Sequence, residues 1–284
     1  MNKLIVLGTC QDGGYPQSGC ISSCCVKVQN SNRLVSSIAV TNDSKDKCWI
    51  FDASPDIKYQ LNMLKGYMGE SKFPHISGIF LTHAHIGHYL GLLSLGLEVM
   101  NLNEVPVYAM PKMAHFIENN APFNQLIEKG NIVLKILGED SQIHLDSQCT
   151  VSPFSVPHRN ELSETVGYNI KTNISSTIFI PDIDSWDQWD MNMLGFIEKH
   201  DLLFLDGTFY DKNELKLRDI NKVPHPSITE SMDLFSVLNK EDRGRIYYTH
   251  FNHTNKVLKS NSKERRNVLD RGYNIAKESQ EFLI

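Results

Sequence analysis

The sequence predicts an α/β protein in which two mixed β-sheets carry helices on their outer faces. Two observations point there: short, wholly apolar runs recur along the chain, and they alternate with segments whose apolar residues fall at helical spacing. A third observation is the lack of any internal repeat at roughly 20–50 residues, low-complexity tract or linker, which makes residues 1–284 one domain.

Leu4 to Leu7 reads as a buried first strand that ends in a Gly-rich loop from Gly8 to Gly19. Cys24 to Val28, Ser36 to Thr41 and Cys48 to Asp52 follow as strands joined by polar turns. Asp52-Ala53-Ser54-Pro55 supplies stop and start signals for a helix over Asp56 to Met68, where Ile57, Leu61, Met63 and Leu64 recur at helical spacing. Ile76 to Thr82 is a buried strand, and Tyr89 to Met100 has the composition of a helix. Val105 to Ala109, Ala114 to Asn119 and Ile132 to Leu137 repeat the alternation. Thr150 to Val156, Gly167 to Thr172, Ser176 to Pro181, Leu202 to Asp206 and Arg245 to Thr249 restore sheet character, and the charged run Lys256 to Arg266 reads as a solvated helix face.

A net charge of -5 and a pI near 6.1 argue against a chain whose main task is coating nucleic acid. Leu7-Gly8-Thr9-Cys10 resembles a lipoprotein cleavage box, but the apolar run before it falls short of the roughly 7–15 residues of a signal core. No stretch approaches the roughly 18–20 apolar residues of a membrane span, so a cytoplasmic protein is expected. Of six cysteines, Cys20, Cys24 and Cys25 crowd together, which in a reducing compartment reads as metal binding before disulfides.

The strongest local signal is Thr82-His83-Ala84-His85-Ile86-Gly87-His88. Three imidazoles at a strand-to-helix turn can converge on one point, neutral imidazole is the commonest metal ligand, and His83 and His85 share a face of an extended segment. The turn resembles the His-x-His-x-Asp-His signature of the metallo-β-lactamase superfamily. Further pieces follow in that family's order: Ser155-Val156-Pro157-His158, Ile180-Pro181-Asp182 and Tyr248-Thr249-His250. The resemblance implies a four-layer αββα sandwich. It also implies a first metal on His83, His85 and His158, a bridging Asp182, and a second metal on His88, His250 and the family's Asp.

That Asp is Gly87 here, which leaves the second position short of a carboxylate. One or two zinc ions are therefore expected, the second weakly held, with Asp206 or Asp12 open as replacements and Gly87→Asp expected to strengthen the site. Asp206 reads more simply as an acceptor that orients a ligand histidine. Iron or manganese also suits such donors. Within the superfamily, Leu7 to Gln17 followed by Cys20 resembles the pyrroloquinoline-quinone biosynthesis B branch, with the phosphonate-pathway cyclic phosphodiesterase and tRNA 3′-processing endonucleases more distant. Relatives in the first two branches carry a Cys-x-Cys-x-x-Cys loop that binds a structural zinc. Here Cys20, Cys24 and Cys25 with His253 would complete a Cys₃His site, although adjacent cysteines on a strand point oppositely.

His225 lies between two prolines, where the phosphodiesterase relative places a catalytic histidine, and a restrained backbone suits a general acid. His75, His115, His144 and His200 are expected on the surface, and Trp186 and Trp189 in the core face of a helix. The resulting expectation is a metallo-hydrolase in which Asp182 fixes a metal-bound hydroxide and His225 protonates the leaving group of an ester or phosphodiester in a small-molecule substrate. Two alternatives stay open: oxidative tailoring in quinone-cofactor synthesis, whose branch usually lacks the first two histidines of the turn, and an inactive scaffold. A homo-oligomer stays open as well.

Overall fold

The computed structural model describes residues 1–26, 28, 32–68, 75–214 and 223–284. Along its strands, alternate residues enter different cores. In β1 (Lys3–Gly8), β2 (Ser37–Thr41) and β3 (Lys47–Phe51), Leu4, Val6, Ile38, Val40, Trp49 and Phe51 face one core. Ile5, Leu7, Ala39, Cys48 and Ile50 face another. In β10 (Ser176–Ile180) and β11 (Leu202–Asp206), Phe179, Leu202 and Phe204 join that first core, whereas Ile178, Ile180, Leu203 and Leu205 face a third. This period of two, with both faces covered, is why these strands read as unbroken apolar runs. The central core lies between the sheets, and Phe51 stacks on Phe80 at 4.9 Å with Tyr168 edge-on to both.

The first sheet has the order β14-β1-β2-β3-β4-β5-β6, completed by β4 (His75–Phe80), β5 (Val105–Ala109), β6 (Ile132–Ile136) and β14 (Glu281–Leu283). The second has the order β13-β12-β11-β10-β9-β8-β7, with β7 (Ile143–His144), β8 (Cys149–Ser155), β9 (Val166–Thr172), β12 (Ile246–Thr249) and β13 (Asn274–Ile275). Both are mixed: β3 to β6 are parallel in one and β10 to β13 in the other. The outer face of the first sheet is covered by helices including α2 (Ile57–Lys65), α4 (Pro111–Asn119) and α5 (Phe123–Glu128). That of the second is covered by α6 (Met193–Glu198), α7 (Ile228–Leu234) and α9 (Lys263–Asp270). The expected four-layer αββα sandwich is the observed architecture. Among the described residues, no helix is long and apolar enough to cross a membrane.

Three expectations fail. The strand expected over Cys24 to Val28 is a short helix, α1 (Ser23–Val26), with Lys27 outside the described residues. The Ser22 carbonyl accepts from the N–H groups of both Cys25 and Val26, and that local turn overrides the apolar composition. The helix expected from Tyr89 to Met100 is one α-turn, α3 (Ile86–Tyr89), followed by a 3₁₀ segment over Leu90–Leu95. Gly91 presses on the preceding loop there, its N–H donating to Ala53 at 2.9 Å, and a Cβ would lie 2.2 Å from the Ser54 carbonyl oxygen. Trp186 and Trp189 pack into the third core as expected, but from irregular backbone.

Candidate metal centre

The parallel strands set the site, because their C-terminal ends run out together between the sheets. Thr82 and His83 follow β4, Asp182 follows β10, Asp206 ends β11 and His250 follows β12. Asp52, after β3, and His250 both adopt left-handed backbone, with φ of 67° and 59°. For non-glycine residues this conformation is costly and concentrates at functional positions.

His83, His85, His158 and Asp182 form one cluster. His83 Nε2 lies 2.8 Å and His158 Nε2 3.2 Å from His85 Nδ1, and Asp182 Oδ2 is 3.4, 3.8 and 3.3 Å from these three nitrogens in the order His83, His85, His158. Donors about 2.0–2.1 Å from a common tetrahedral cation sit roughly 3.3 Å apart, and these spacings bracket that edge. A second cluster holds His88, His250 and Asp12, and Asp182 Oδ2 is 3.8 Å from His250 Nε2, within reach of both clusters. Among the described residues, His88 Nε2, His250 Nε2 and Asp182 Oδ1 are buried without a hydrogen-bond partner. Orphaned buried donors and acceptors of this kind are the arrangement a cation satisfies.

The far nitrogens of His83, His88, His158 and His250 are held. Asp184 Oδ1 lies 2.7 Å from His158 Nδ1 and Asp52 Oδ2 2.7 Å from His88 Nδ1, while the hydroxyls of Thr82 and Thr208 lie 2.9 Å from the Nδ1 atoms of His83 and His250. Charge follows this pattern. Burial pushes His83 well below the usual histidine range, with His88 adding to the effect, and burial likewise lowers His250. Burial opposes the charged form of His158 as well, but Asp182 and Asp184 raise it to about 10, and Asp52 raises His88 in the same way. Burial would raise Asp182, yet His158, His225 and His250 hold it well below the carboxylate range.

Gly87 is close-packed. Its N–H donates to Asp12 Oδ1 at 2.8 Å, and a Cβ built on it would lie 2.3 Å from that oxygen and 2.9 Å from Asp12 Cα. This overturns the expectation that Gly87→Asp strengthens the second position, since an aspartate there collides with both the carboxylate and the main chain of Asp12. Asp206 accepts from His225 Nδ1 at 2.8 Å and from the N–H groups of Ile183 and Thr208, an orienting role. His225 is buried, with Nδ1 3.3 Å from Asp182 Oδ1, and it lines a cavity of about 570 Å³ with Trp186, Pro224 and Pro226. Burial lowers its pKa, but Asp206 and Asp182 raise it overall. His75, His115 and His144 are exposed as expected. His200 is not: it is buried against Phe196, to whose carbonyl its Nδ1 donates at 2.6 Å.

A separate group is Cys20, Cys24, Cys25 and His253. Cys24 Sγ is 3.9 Å from each of the other two sulfurs, and His253 Nδ1 is 3.5 Å from Cys24 Sγ and 3.3 Å from Cys25 Sγ. Thiolates about 2.3 Å from one tetrahedral zinc sit roughly 3.8 Å apart. The helical turn of α1 lets adjacent Cys24 and Cys25 face the same point, which a strand could not do.

The model for the family described as "Beta-lactamase superfamily domain" matches residues 49–251, most of the chain and every active-centre donor except Asp12. The chain belongs to the beta-lactamase superfamily. Within it, the chain is 27% identical over 293 residues to coenzyme PQQ synthesis protein B of Acinetobacter baylyi, covering 92% of both chains. Its fold is similar to that of Zn²⁺-bound PqqB from Methylobacterium extorquens, at a TM-score of 0.83 and 23% identity over 99% of this chain and 100% of that one. A diphosphatase of the PhnP family is similar at a TM-score of 0.69 and 22% identity, with 99% and 96% covered. Such identities establish the shared superfamily sandwich and leave the chemistry to the site's own residues.

Residue-by-residue reading missed Asp52, Asp184 and Thr208, which orient ligand histidines. Asp184 carried a weak signal, two residues after Asp182; Asp52 was legible only as a helix boundary, and Thr208 carried none.

Proposed function

We propose that the protein is a metal-dependent hydrolase that cleaves an ester or phosphodiester bond in a small-molecule substrate. The observation that carries this reading is the convergence of His83, His85, His158 and Asp182 on one point at tetrahedral spacing. A divalent cation held by these residues would bring its water to a pKa of roughly 7 and polarise the scissile group's oxygen. The chain's own residues do the rest. Asp182, kept ionised by the histidines around it, accepts and fixes the attacking water's proton. His225, whose pKa Asp206 and Asp182 raise against the pull of burial, stands at the cavity wall to hand a proton to the leaving group.

Two openings flank the centre, the 570 Å³ cavity beside His225 and one of about 260 Å³ beside His83 and His85. Among the described residues, their walls carry Glu161, Asp184, Asp187, Glu230 and Asp233 against Arg159 and Lys212, a balance that favours a small substrate over a nucleic-acid backbone. Full-length likeness to coenzyme PQQ synthesis protein B favours a second reading, a step in the synthesis of such a cofactor. Elemental analysis coupled to turnover on ester and phosphodiester panels separates them. Zinc with turnover supports the hydrolase, iron with oxygen uptake supports the second reading, and metal-free protein without turnover sinks both.

The Cys20, Cys24, Cys25 and His253 group we assign to a structural zinc that ties the loop after β1 to the segment after β12. Cys20→Ser should remove one zinc equivalent and leave the active-centre metal in place; equal zinc in parent and variant refutes the assignment.

A further inference from the structure

We infer that Asp12, from the loop after β1, is the carboxylate ligand of the second metal position and replaces the side chain that Gly87 lacks. The inference deepens the metal reading above and rests on it. Its first support is steric. The Asp12 carboxylate fills the volume beside Gly87, so close that a Cβ there would overlap Oδ1 at 2.3 Å. Glycine at 87 is therefore the residue that admits Asp12, and the two positions form one device split between distant parts of the chain.

The second support is where that oxygen points. Asp12 Oδ1 lies 3.9 Å from His88 Nε2, and the ligand atoms of Asp12, His88 and His250 all fall within 4.8 Å of one another. His88 and His250 are fully buried, and their Nε2 atoms lack hydrogen-bond partners among the described residues. Asp52 and Thr208 hold the opposite ring nitrogens, which fixes the unpartnered Nε2 atoms toward the space Asp12 faces.

The third support is how the loop is held. The Phe251 N–H donates to the Thr9 carbonyl at 2.8 Å, and the Gln11 N–H donates to the Phe251 carbonyl at 3.0 Å. The Gly87 N–H then fixes the carboxylate itself. The residue directly after His250 thus ties down the backbone directly before Asp12, so ligand and loop are positioned together. The Asp12 side chain keeps 30% exposure, which leaves that position open to solvent.

The test uses Mn²⁺, which prefers carboxylate and imidazole donors and avoids the cysteine group. Full-length protein is titrated with Mn²⁺ and followed by electron paramagnetic resonance. Wild type should bind two Mn²⁺ per chain with an exchange-coupled signal. Asp12→Asn, which is isosteric and can still accept the Gly87 N–H, should keep the first ion with an isolated six-line signal and bind the second roughly tenfold more weakly or worse. A wild type that holds only one ion, or an Asp12→Asn protein that keeps two coupled ions at wild-type affinity, overturns the role of Asp12 alone. A wild type that holds no manganese overturns the metal reading together with it.

Discussion

At the His83, His85 and His158 position and at the His88 and His250 position, imidazoles are held in matching pairs. Each position has one histidine backed by a carboxylate, His158 by Asp184 and His88 by Asp52, and one backed by a threonine hydroxyl, His83 by Thr82 and His250 by Thr208. The carboxylate-backed members are raised and the hydroxyl-backed ones lowered, so each position pairs an imidazole that is easier to protonate with one that is harder. The positions differ in the remaining donor. His85 comes from the same turn as His83, whereas the carboxylate next to His88 comes from the loop after β1. A motif can therefore be locally incomplete while the folded site is whole.

The harshest way to break the comparison is to remove a donor from the first position only. His83→Ala and His158→Ala should each abolish tight metal binding there and lower turnover by roughly 10³-fold or more, since nucleophile and electrophile activation are both lost. Unchanged metal content in either variant would contradict the arrangement. Next in size is Asp206→Asn. With that carboxylate neutral, His225 keeps only Asp182 against burial, its pKa falls, and the basic limb of the turnover profile should move to lower pH. A profile that keeps its shape would exclude His225 as the proton donor.

Sequence alone made most of the sandwich readable, because strands buried on both faces print unbroken apolar runs, as Leu4 to Leu7 and Leu202 to Leu205 do. It misread the segments whose conformation is set by contact. Cys24 to Val26 turns on Ser22, and Leu90 to Leu95 tightens because Gly91 packs on Ala53 and Ser54. The site shows the same division. His83, His85 and His88 lie five positions apart at most, and spacing reveals them. Asp52 and Asp12 meet His88 across 36 and 76 positions, and no local spacing encodes such a meeting.

A finer probe exchanges the orienting carboxylates. As read by chelator competition, Asp184→Asn should weaken the first metal by roughly 10–100-fold and leave the second nearly unchanged, whereas Asp52→Asn should weaken the second by as much and the first less, because Asp52 also accepts from Thr82, which backs His83. Equal loss at both positions from Asp184→Asn would show one merged site where the geometry gives two.

The smallest effect is protonic, and its sign follows from which imidazole is charged. A metal ligand must be neutral, and His158, raised to about 10, carries a proton at pH 7 that uptake at the first position must expel. His83, held well below its usual range by burial, has none to lose. Uptake there should release about one proton, and affinity should climb about tenfold per pH unit from pH 7 to 9, flattening as His158 deprotonates unaided. Titration calorimetry in two buffers of different ionisation enthalpy reads the release directly. Asp184→Asn should reduce it at pH 9 without abolishing it at pH 7, because Asp182 contributes more to the raised pKa than Asp184 does. Release that is absent at pH 7 would mean that His158 is neutral before metal arrives, and that its carboxylates serve orientation alone.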